Sequence, residues 1–377
     1  MSIHLVLFFT RGVSLRTWSM MGMLDREVAL YRFLMDQGLR VSFVTYGDAT
    51  DLEYSDQLAG IRILCNEQGL PLERFENLLL SLHGDVLRTA DIIKTNQTYG
   101  GELALWTARL LHKPLIARCG YMWSYNATRE HGENSATASE ARRVEAKVFG
   151  AADRVVVTTS TMREDILRRL PDARGRVFII PNYVDTALFQ PIKQTTDGRT
   201  LLFIGRIAPE KNLEALLEAI RPLQVKLTII GEGKLRSHLQ KKFAELDGRV
   251  VWEGSVPNSL LPQFLNRADI FVLPSLYEGH PKTVLEAMSC QVPVLGADSP
   301  GIRELIRHGQ TGFLCGTDSR SIRIAVEEML GHPTLRTELG VNARRYVIEN
   351  YSLSEIGPVE LSMLHEVASL QRRCGST

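Results

Sequence analysis

Short apolar runs alternate with segments of helical periodicity along the whole chain. The run Ile3–Phe9 is apolar except for His4, which is typical of a strand buried on both faces of a sheet. Asp25–Gln37 follows with apolar residues near helical spacing, and Gly38 stands where a helix would end. Further apolar runs predict strands at Val41–Tyr46, Asp91–Lys94, Pro114–Ala117, Arg154–Thr158 and Val177–Ile180. This alternation predicts an α/β fold with a parallel sheet.

The alternation starts again after the proline-bounded segment Pro181–Pro191. A helix is predicted over Leu213–Ile220, where apolar residues recur at i, i+3, i+4 and i+7. The other predicted elements are strands Leu201–Ile204, Leu227–Ile230, Asp269–Leu273 and Val292–Leu295, and helices over Leu235–Leu246, Thr283–Ser289 and Ile356–Leu370. We therefore expect two doubly wound domains, residues 1–185 and 186–355.

Composition and charge narrow the class of protein. The 377 residues are 44% hydrophobic and 23% charged, which is ordinary for a soluble globular chain. Lysine and arginine number 44 against 43 aspartates and glutamates, which argues against a nucleic-acid partner held by bulk charge. No apolar run approaches the roughly 18–20 residues of a membrane span. The five cysteines form no CxxC pair. We expect a cytoplasmic protein whose membrane contact, at the inner face, is at most peripheral.

Polar residues follow the first strands of the second domain, at the edge where doubly wound sheets bind ligands. Gly205 and Arg206 come directly after one strand, and Lys211 stands just before the next helix. A guanidinium and an ammonium at one sheet edge can neutralise a diphosphate. Two solvated surface cations are the alternative. Gly231 and Glu232 follow the next strand, where glycine permits a ligand to approach closely, although an ordinary strand–helix turn fits as well.

Two glutamates are separated by seven residues, Glu278 in a later loop and Glu286 in the helix predicted after it. Pro281 suits the start of a helix because its missing N–H is not needed there. The amides of Lys282 and Thr283 would then face an anion. At 1.5 Å per residue, Glu286 lies about 7.5 Å along the helix axis, where its carboxylate can bind a ribose diol. Glu278 can meet the hydroxyls of a second sugar. The alternative is a helix with solvated glutamates.

Six short motifs follow one another between Pro181 and Cys315. They are Pro181-Asn182-Tyr183-Val184-Asp185 with Phe189, Gly205-Arg206 with Glu210-Lys211-Asn212, Gly231-Glu232-Gly233, Glu253-Gly254, Glu278-x7-Glu286 and Pro300-Gly301-Ile302-Arg303-Glu304-Leu305. In this order they resemble the retaining nucleotide-sugar glycosyltransferases of the GT-B type, family four. The resemblance implies two Rossmann-like domains facing across a cleft, with the donor bound mainly by the second and the acceptor mainly by the first. It also implies that the last helix, about 356–370, packs back on the first domain.

The resemblance assigns roles to the matching residues. Arg206, Lys211 and Glu278 are the expected catalytic residues, with the two cations on the donor diphosphate and Glu278 on the transferred sugar. Glu286 would bind the ribose. The other expected donor-binding residues are Gly22, Gly205, Gly231, Glu232, Val256, Gly279, His280, Pro281, Lys282 and Thr283. For Gly22, an ordinary loop glycine is the alternative to a close approach of the diphosphate.

The first domain matches the family only in outline. Many relatives carry a histidine after the strand that corresponds to Leu115–Ala117, where this chain has Arg118-Cys119-Gly120-Tyr121. The candidates on the acceptor side are Arg11, Asn96, Gln97, Arg118, Tyr121 and Trp123. The aromatic residues among them can stack on a sugar ring or serve as a packed anchor.

The resemblance implies a transfer, with retention, of a sugar from a nucleoside-diphosphate sugar to a hydroxyl of a glycan or lipid-linked acceptor, in surface polysaccharide or glycoconjugate synthesis. The chain has no Asp-x-Asp, so neither a metal nor another cofactor is expected. One alternative is a GT-B nucleotide-sugar epimerase. Another, motivated by the missing histidine, is a catalytically inactive nucleotide-sugar-binding partner protein. A dehydrogenase or P-loop kinase is disfavoured because GxGxxG and GK[ST] are missing.

Overall fold

Two parallel sheets organise the chain in the computed structural model, which describes residues 2–192, 194 and 197–374. The strands of the first sheet are β1 (His4–Phe8), β2 (Arg40–Val44), β3 (Arg62–Leu64), β4 (Ile92–Thr95), β5 (Leu115–Cys119), β6 (Arg154–Val157) and β7 (Val177–Ile179). Those of the second are β8 (Thr200–Ile204), β9 (Lys226–Ile230), β10 (Val250–Gly254), β11 (Ile270–Leu273), β12 (Val294–Ala297) and β13 (Phe313–Cys315).

Helices connect successive strands. In the first half they are α1 (Leu15–Met20), α2 (Leu24–Asp36), α3 (Ser55–Leu58), α4 (Leu72–Arg88), α5 (Gly101–Leu110), α6 (Trp123–His131), α7 (Ala136–Ala151) and α8 (Ser160–Arg169). In the second half they are α9 (Leu213–Ile220), α10 (Arg236–Lys242), α11 (Leu261–Leu265), α12 (Lys282–Ser289), α13 (Ser319–Gly331), α14 (Pro333–Tyr351) and α15 (Leu353–Cys374).

Both sheets reverse their strand order near the middle. The orders are β3-β2-β1-β4-β5-β6-β7 and β10-β9-β8-β11-β12-β13. Every strand pair in these sheets is parallel, which explains why the central strands are buried on both faces. The reversal lies between β1 and β4 in the first sheet and between β8 and β11 in the second. Connections leave in opposite directions at such a point, and a crevice for ligands opens there.

The chain divides into two compact units. The first contains residues 2–20, Glu27–Pro181 and 357–374, and the second contains Met21–Arg26 and the described part of 182–356. The second unit begins earlier than the predicted residue 186 because Val184 and Phe189 are buried in its core. It also includes Met21–Arg26, a segment that the sequence pattern placed in the first domain.

Most predicted elements coincide with observed ones to within a few residues, and the exceptions have local causes. The helix predicted through Leu246 ends at Lys242, and a 3-10 turn covers Ala244–Leu246. Pro281 is extended and precedes α12 as its N-cap, so it does not lie in the first turn. The short edge strands β3, β10 and β13 were not predicted, because β3 and β13 have three residues each and β10 includes exposed positions.

The last helix, α15, contributes to the first unit from Gly357 onward. A β-carbon placed on Gly357 would lie 2.6 Å from the Phe33 ring. Lys94 of β4 forms an ion pair with Glu360 of α15, and the two side chains are 0% and 1% exposed. Glu366, further along the same helix, pairs with Arg154 at the surface. A buried charge pair therefore joins this helix to a central strand of the first sheet.

None of the helices in the described part of the chain is long and apolar enough to cross a membrane.

Candidate functional site

The loops after β8 and β9 are in direct backbone contact. Gly205 donates a hydrogen bond from its N–H to the Ile230 carbonyl at 3.0 Å. Gly231 has φ +135°, and a β-carbon there would lie 2.0 Å from the Gly205 carbonyl oxygen. The next glycine, Gly233, is similarly close to the Ile207 carbonyl oxygen, at 2.2 Å. Glycine is required at both positions because no side chain fits between the two loops.

The second feature is an ion pair across the reversal point of the second sheet. Lys211 ends a 3-10 turn after β8, and Asn212 follows in the left-handed conformation with φ 53°. The Asn212 side-chain amide donates to the carbonyls of Pro274 and Thr317, which ties this loop to the one after β11. As a result the Lys211 Nζ lies 2.5 Å from the Glu278 Oε1. These two side chains are only 14% and 12% exposed, so solvent screens the pair weakly.

Arg206 lies at the same edge but faces solvent. Its guanidinium is 2.9 Å from the Glu210 carboxylate, and the arginine side chain is 62% exposed. An exposed pair of this kind adds about 0–1 kcal/mol to stability. The guanidinium can therefore exchange Glu210 for an anionic ligand at small cost.

The Glu278 loop rests on the segment after β12. The Glu278 N–H donates to the Pro300 carbonyl at 2.9 Å. Gly301 has φ +82°, and a β-carbon there would lie 2.4 Å from the Glu278 carbonyl oxygen and 2.6 Å from that of Gly279. The Pro300-Gly301 motif thus supports the backbone that presents Glu278.

We expect Gly301→Ala to displace this loop and weaken ligand binding at it. Gly248→Ala is a matched control, because Gly248 has φ +78° and nothing within 4 Å of an added β-carbon. Both variants lose about 1–2 kcal/mol from the left-handed backbone, but only Gly301→Ala adds the clash. The measurements are thermal unfolding and nucleotide affinity for both variants. Equal affinity in the two would contradict a supporting role for Gly301.

Helix α12 begins at Lys282 and places one carboxylate in the interior. Pro281 makes no side-chain capping bond, so its side chain does not compete for the amides of the first turn. Glu286 is 1% exposed among buried apolar residues of the same helix. Its Oε1 accepts hydrogen bonds from the Asn258 side-chain amide at 2.8 Å and from Arg26 at 3.2 Å. Its Oε2 is buried without a hydrogen-bond partner among the described residues.

The motif at Asn182-Tyr183 supports the start of α12. Asn182 donates from its side-chain amide to the His280 carbonyl at 2.6 Å. The Lys282 ammonium lies 6.0 Å from the centre of the Tyr183 ring. His280 itself is buried, with its ring 5.4 Å from that of Tyr351. Its backbone and ring therefore have structural contacts that explain its burial.

Three predicted donor residues surround the end of β10. Glu232 forms an ion pair with Arg236 and is half exposed. Gly22 has φ +68°, and a β-carbon there would lie 2.2 Å from the Val256 carbonyl oxygen. The close approach at Gly22 is therefore to the protein backbone, and Val256 is partly buried against the core of the second unit.

The acceptor-side candidates lie in the first unit, and most already have partners there. Arg11 donates twice to Glu76, at 2.6 and 3.0 Å, and this hydrogen bonding raises the pKa of the guanidinium above its usual value. Gln97 accepts a hydrogen bond from the Gly120 N–H at 2.9 Å. The Asn96 N–H donates to the Phe8 carbonyl and continues the β1–β4 pairing.

The remaining candidates follow β5. The Arg118 N–H donates to the Thr95 hydroxyl at 3.0 Å. Tyr121 is 37% exposed, and Trp123 meets Tyr99 edge-to-face with ring centres 4.7 Å apart. Close to them in sequence lies Cys119, whose burial raises the pKa of its thiol to about 12. That thiol is protonated at neutral pH and is not a nucleophile.

The donor candidates of the second unit thus form three groups, at the β8–β11 reversal, at the start of α12 and at the end of β10. The assignment of roles to them stays a prediction. Sequence reasoning missed Arg26 and Asn258, which contact Glu286. No motif marks either residue, and Arg26 lies 260 positions from Glu286 along the chain. Among the described residues, no three of the types His, Cys, Asp and Glu could jointly hold a metal ion.

Known protein families match both halves of the chain. The model for glycosyl transferases group 1 matches residues 184–346, and that for glycosyltransferase family 4 matches 28–188. GDP-mannose-dependent alpha-mannosyltransferase of Mycolicibacterium smegmatis is 30% identical over 293 residues, 74% of this chain and 73% of the relative. Alpha-maltose-1-phosphate synthase of the same organism is 28% identical over 257 residues. That alignment covers 60% of this chain and 66% of the relative, slightly under two thirds.

Solved structures match over nearly the whole chain. Sucrose-phosphate synthase of Thermosynechococcus elongatus has a TM-score of 0.78 at 20% identity and covers 98% of this chain and 100% of its own. Anabaena HepE, solved with UDP and glucose, has a TM-score of 0.77 at 17% identity and covers 96% and 99%. The fold is that of the GT-B glycosyltransferases, with two Rossmann-like domains, as predicted. The chain belongs to the glycosyl transferases group 1 family.

Proposed function

We propose that this glycosyltransferase moves a sugar from a nucleoside-diphosphate sugar to an acceptor hydroxyl, with retention of the anomeric configuration and without a metal ion. The observation that carries the proposal is the Lys211–Glu278 pair at the reversal point of the second sheet, beside the start of α12. A cation and a row of helix amides suit a diphosphate, and a neighbouring carboxylate suits sugar hydroxyls.

The donor diphosphate would take over partners that now bind carboxylates. Arg206 and Lys211 each have one glutamate partner, and each can turn to phosphate oxygens when the donor arrives. Glu278, released from Lys211, would accept hydrogen bonds from the transferred sugar. Two similar proteins support this donor class: HepE was solved with UDP and glucose, and one relative is named as GDP-mannose-dependent.

Retention is proposed to follow a front-face route. The bond between the anomeric carbon and the leaving phosphate oxygen breaks, and the acceptor oxygen bonds to that carbon from the same side. The proton of the acceptor hydroxyl passes to the departing phosphate. Arg206, Lys211 and the first amides of α12 would stabilise the charge that develops on this phosphate. The route is favoured because the candidate site offers no obvious carboxylate nucleophile. Glu286 stays held by Arg26 and Asn258, and Glu278, once released from Lys211, would bind hydroxyls of the transferred sugar.

The acceptor is proposed to be a glycan or a lipid-linked glycan used in surface polysaccharide or glycoconjugate synthesis, with at most peripheral contact to the inner face of the membrane. The exposed Tyr121 and the Tyr99–Trp123 pair offer aromatic faces of the kind that stack on sugar rings. A protein of similar fold, TarM of S. aureus, was solved in a mutant form with alpha-GlcNAc-glycerol, Fondaparinux and UDP.

The first test is thermal unfolding with UDP, GDP, ADP and their common sugars, each with and without EDTA. A ligand at 100 times its dissociation constant stabilises the folded state by about 2.7 kcal/mol, so we expect one nucleotide to raise the melting temperature by several degrees. EDTA should leave this shift unchanged. The donor proposal is wrong if no nucleotide shifts the transition.

Transfer is then measured with that donor against a panel of glycan acceptors. The expected product keeps the anomeric configuration of the donor, as read from the anomeric coupling by NMR. An inverted product, or a requirement for added Mg²⁺ or Mn²⁺, would overturn the mechanism. Donor binding without any transfer would favour the inactive binding partner, which is motivated by the stretch Arg118-Cys119-Gly120-Tyr121 where many relatives carry a histidine. An epimer formed from donor alone would favour the epimerase.

A further inference from the structure

Three contacts attach the segment Met21–Arg26 to the second unit. The Gly22 carbonyl accepts a hydrogen bond from the Asn258 N–H at 2.9 Å. The Arg26 carbonyl accepts one from the Tyr183 hydroxyl at 2.8 Å. The Arg26 guanidinium lies 3.2 Å from the Glu286 Oε1. This segment therefore belongs structurally to the unit that contains the candidate donor site, although it lies far earlier in the sequence.

The carboxylate of Glu286 is used asymmetrically. Oε1 has two donors, Arg26 and Asn258, whereas Oε2 has none among the described residues and is buried. Arg26 is 18% exposed and Glu286 is 1% exposed, so solvent screens their interaction weakly. A buried charged acceptor without a partner is costly, because folding removes its water and supplies nothing in return. Oε2 therefore lacks a hydrogen bond that a hydroxyl or amide donor could supply.

We infer that Arg26 is a positioning residue that, with Asn258, orients the Glu286 carboxylate so that Oε2 accepts a hydrogen bond from the ribose of the donor nucleotide. The inference rests on the proposed function. Because Oε2 is covered, nucleotide binding must move the groups above it, while Arg26 and Asn258 hold the carboxylate in place. By orienting Glu286 in this way, Arg26 would also determine the preference for ribonucleotides over deoxynucleotides. A nucleotide that lacks the ribose hydroxyl leaves Oε2 without a hydrogen bond.

The test is isothermal titration of the whole protein with UDP, GDP and ADP, and with dUDP, dGDP and dADP. We expect the wild-type protein to bind the preferred ribonucleotide roughly 10- to 100-fold more tightly than its 2′-deoxy form, the range for one hydrogen bond to a charged group. Arg26→Met should weaken ribonucleotide binding by a similar factor and leave deoxynucleotide binding nearly unchanged. Arg26→Lys should restore part of the preference, since it keeps the charge.

The matched control is Arg32→Met, the same substitution on the same helix, where the guanidinium donates to the Gln57 carbonyl. It should keep the wild-type preference. If Arg26→Met does not fold, Arg26→Lys and Asn258→Ala are measured instead, and Asn258→Ala should also reduce the preference.

Two failures are distinguishable. If the wild-type protein binds no nucleoside diphosphate, the proposed function falls and this inference with it. If it binds with a ribose preference that the Arg26 and Asn258 variants retain, or if both nucleotide forms weaken equally, only the positioning role is overturned. Tighter ribonucleotide binding in Arg26→Met would also overturn it, since Arg26 would then compete with the ribose.

Discussion

Lys211→Ala is expected to lower kcat by about 10²- to 10³-fold while the protein stays folded. The ammonium group is largely shielded from water, and its partner Glu278 is on the loop proposed to meet the transferred sugar. Removing it takes away charge stabilisation where the leaving phosphate becomes more negative. The measurement is steady-state kinetics with the donor found by thermal unfolding. A large fall in kcat, with KM changed less, would indicate an interaction made mainly in the transition state.

Lys226→Ala is the control for Lys211→Ala. Lys226 is 68% exposed and pairs with Asp197 at the surface, so its removal should change kcat by less than about twofold. Glu278→Gln tests the role of the carboxylate itself. It frees Lys211 from its ion pair but removes the proposed contact between the carboxylate and the transferred sugar. If Lys211→Ala raises KM and leaves kcat intact, the lysine binds donor and transition state equally and has no special role in the chemistry.

Glu360→Ala is expected to destabilise the first unit by about 3–5 kcal/mol, the usual cost of leaving one member of a buried ion pair alone. Lys94 is fully buried in a central strand and would lose its carboxylate partner. For a unit of this size the melting temperature of that transition should fall by roughly 10 °C. Glu366→Ala, on the same helix, removes a surface pair and should cost less than about 1 kcal/mol.

The double variant Lys94→Met with Glu360→Leu tests whether the stability lost in Glu360→Ala comes from an unpaired buried charge or from lost packing. Removing both charges should restore most of the stability lost in Glu360→Ala, because no buried charge is then left unpaired. If Glu360→Ala melts within about 2 °C of the wild-type protein, the pair does not stabilise this helix.

The same pair predicts a pH dependence. Burial alone would raise the pKa of Glu360, but the charges of Lys94 and Arg118 outweigh it and lower this pKa below its usual value. A carboxyl whose folded pKa is depressed stabilises the protein above its unfolded pKa, and this stabilisation is lost as the pH falls through the folded pKa. Urea unfolding between pH 7 and pH 4 should therefore show a steeper loss of stability for the wild-type protein than for Glu360→Gln.

The central strands and the edge strand β7 could be predicted, but the edge strands β3, β10 and β13 could not. Leu201–Ile204 is apolar throughout and Leu227–Ile230 is apolar except for Thr228, because helices cover both faces of the sheet, and such runs are visible in the sequence. The edge strand Val250–Gly254 includes exposed and half-exposed residues, so its composition does not distinguish it from a loop. Its place is decided by pairing with β9, which composition does not report.

The candidate site shows the same division. Lys211, Glu278 and Glu286 could be found because they stand in short motifs just after strands or near a helix start. At such positions the backbone places the side chains at one edge of the sheet. Arg26 could not be found, since an arginine in the first turn of a helix is ordinary and its target is far away in sequence. The glycines are intermediate: Gly301 belongs to a recognisable motif, but its purpose is visible only where its missing side chain would meet the Glu278 carbonyl.

The sequence by itself determined the alternation of strands and helices and, through the resemblance of its motifs to a known family, the two-domain GT-B class. The alternation follows from local rules, because burial patterns repeat along each element, and the residues expected at a donor diphosphate were selected because loops after parallel strands share one edge of a sheet. Only the tertiary structure decided that Met21–Arg26 belongs with the second unit, that Arg26 and Asn258 hold Glu286, and that Lys94 and Glu360 share a buried charge pair. Each of these joins residues distant in sequence, so no periodicity or motif within one segment encodes it.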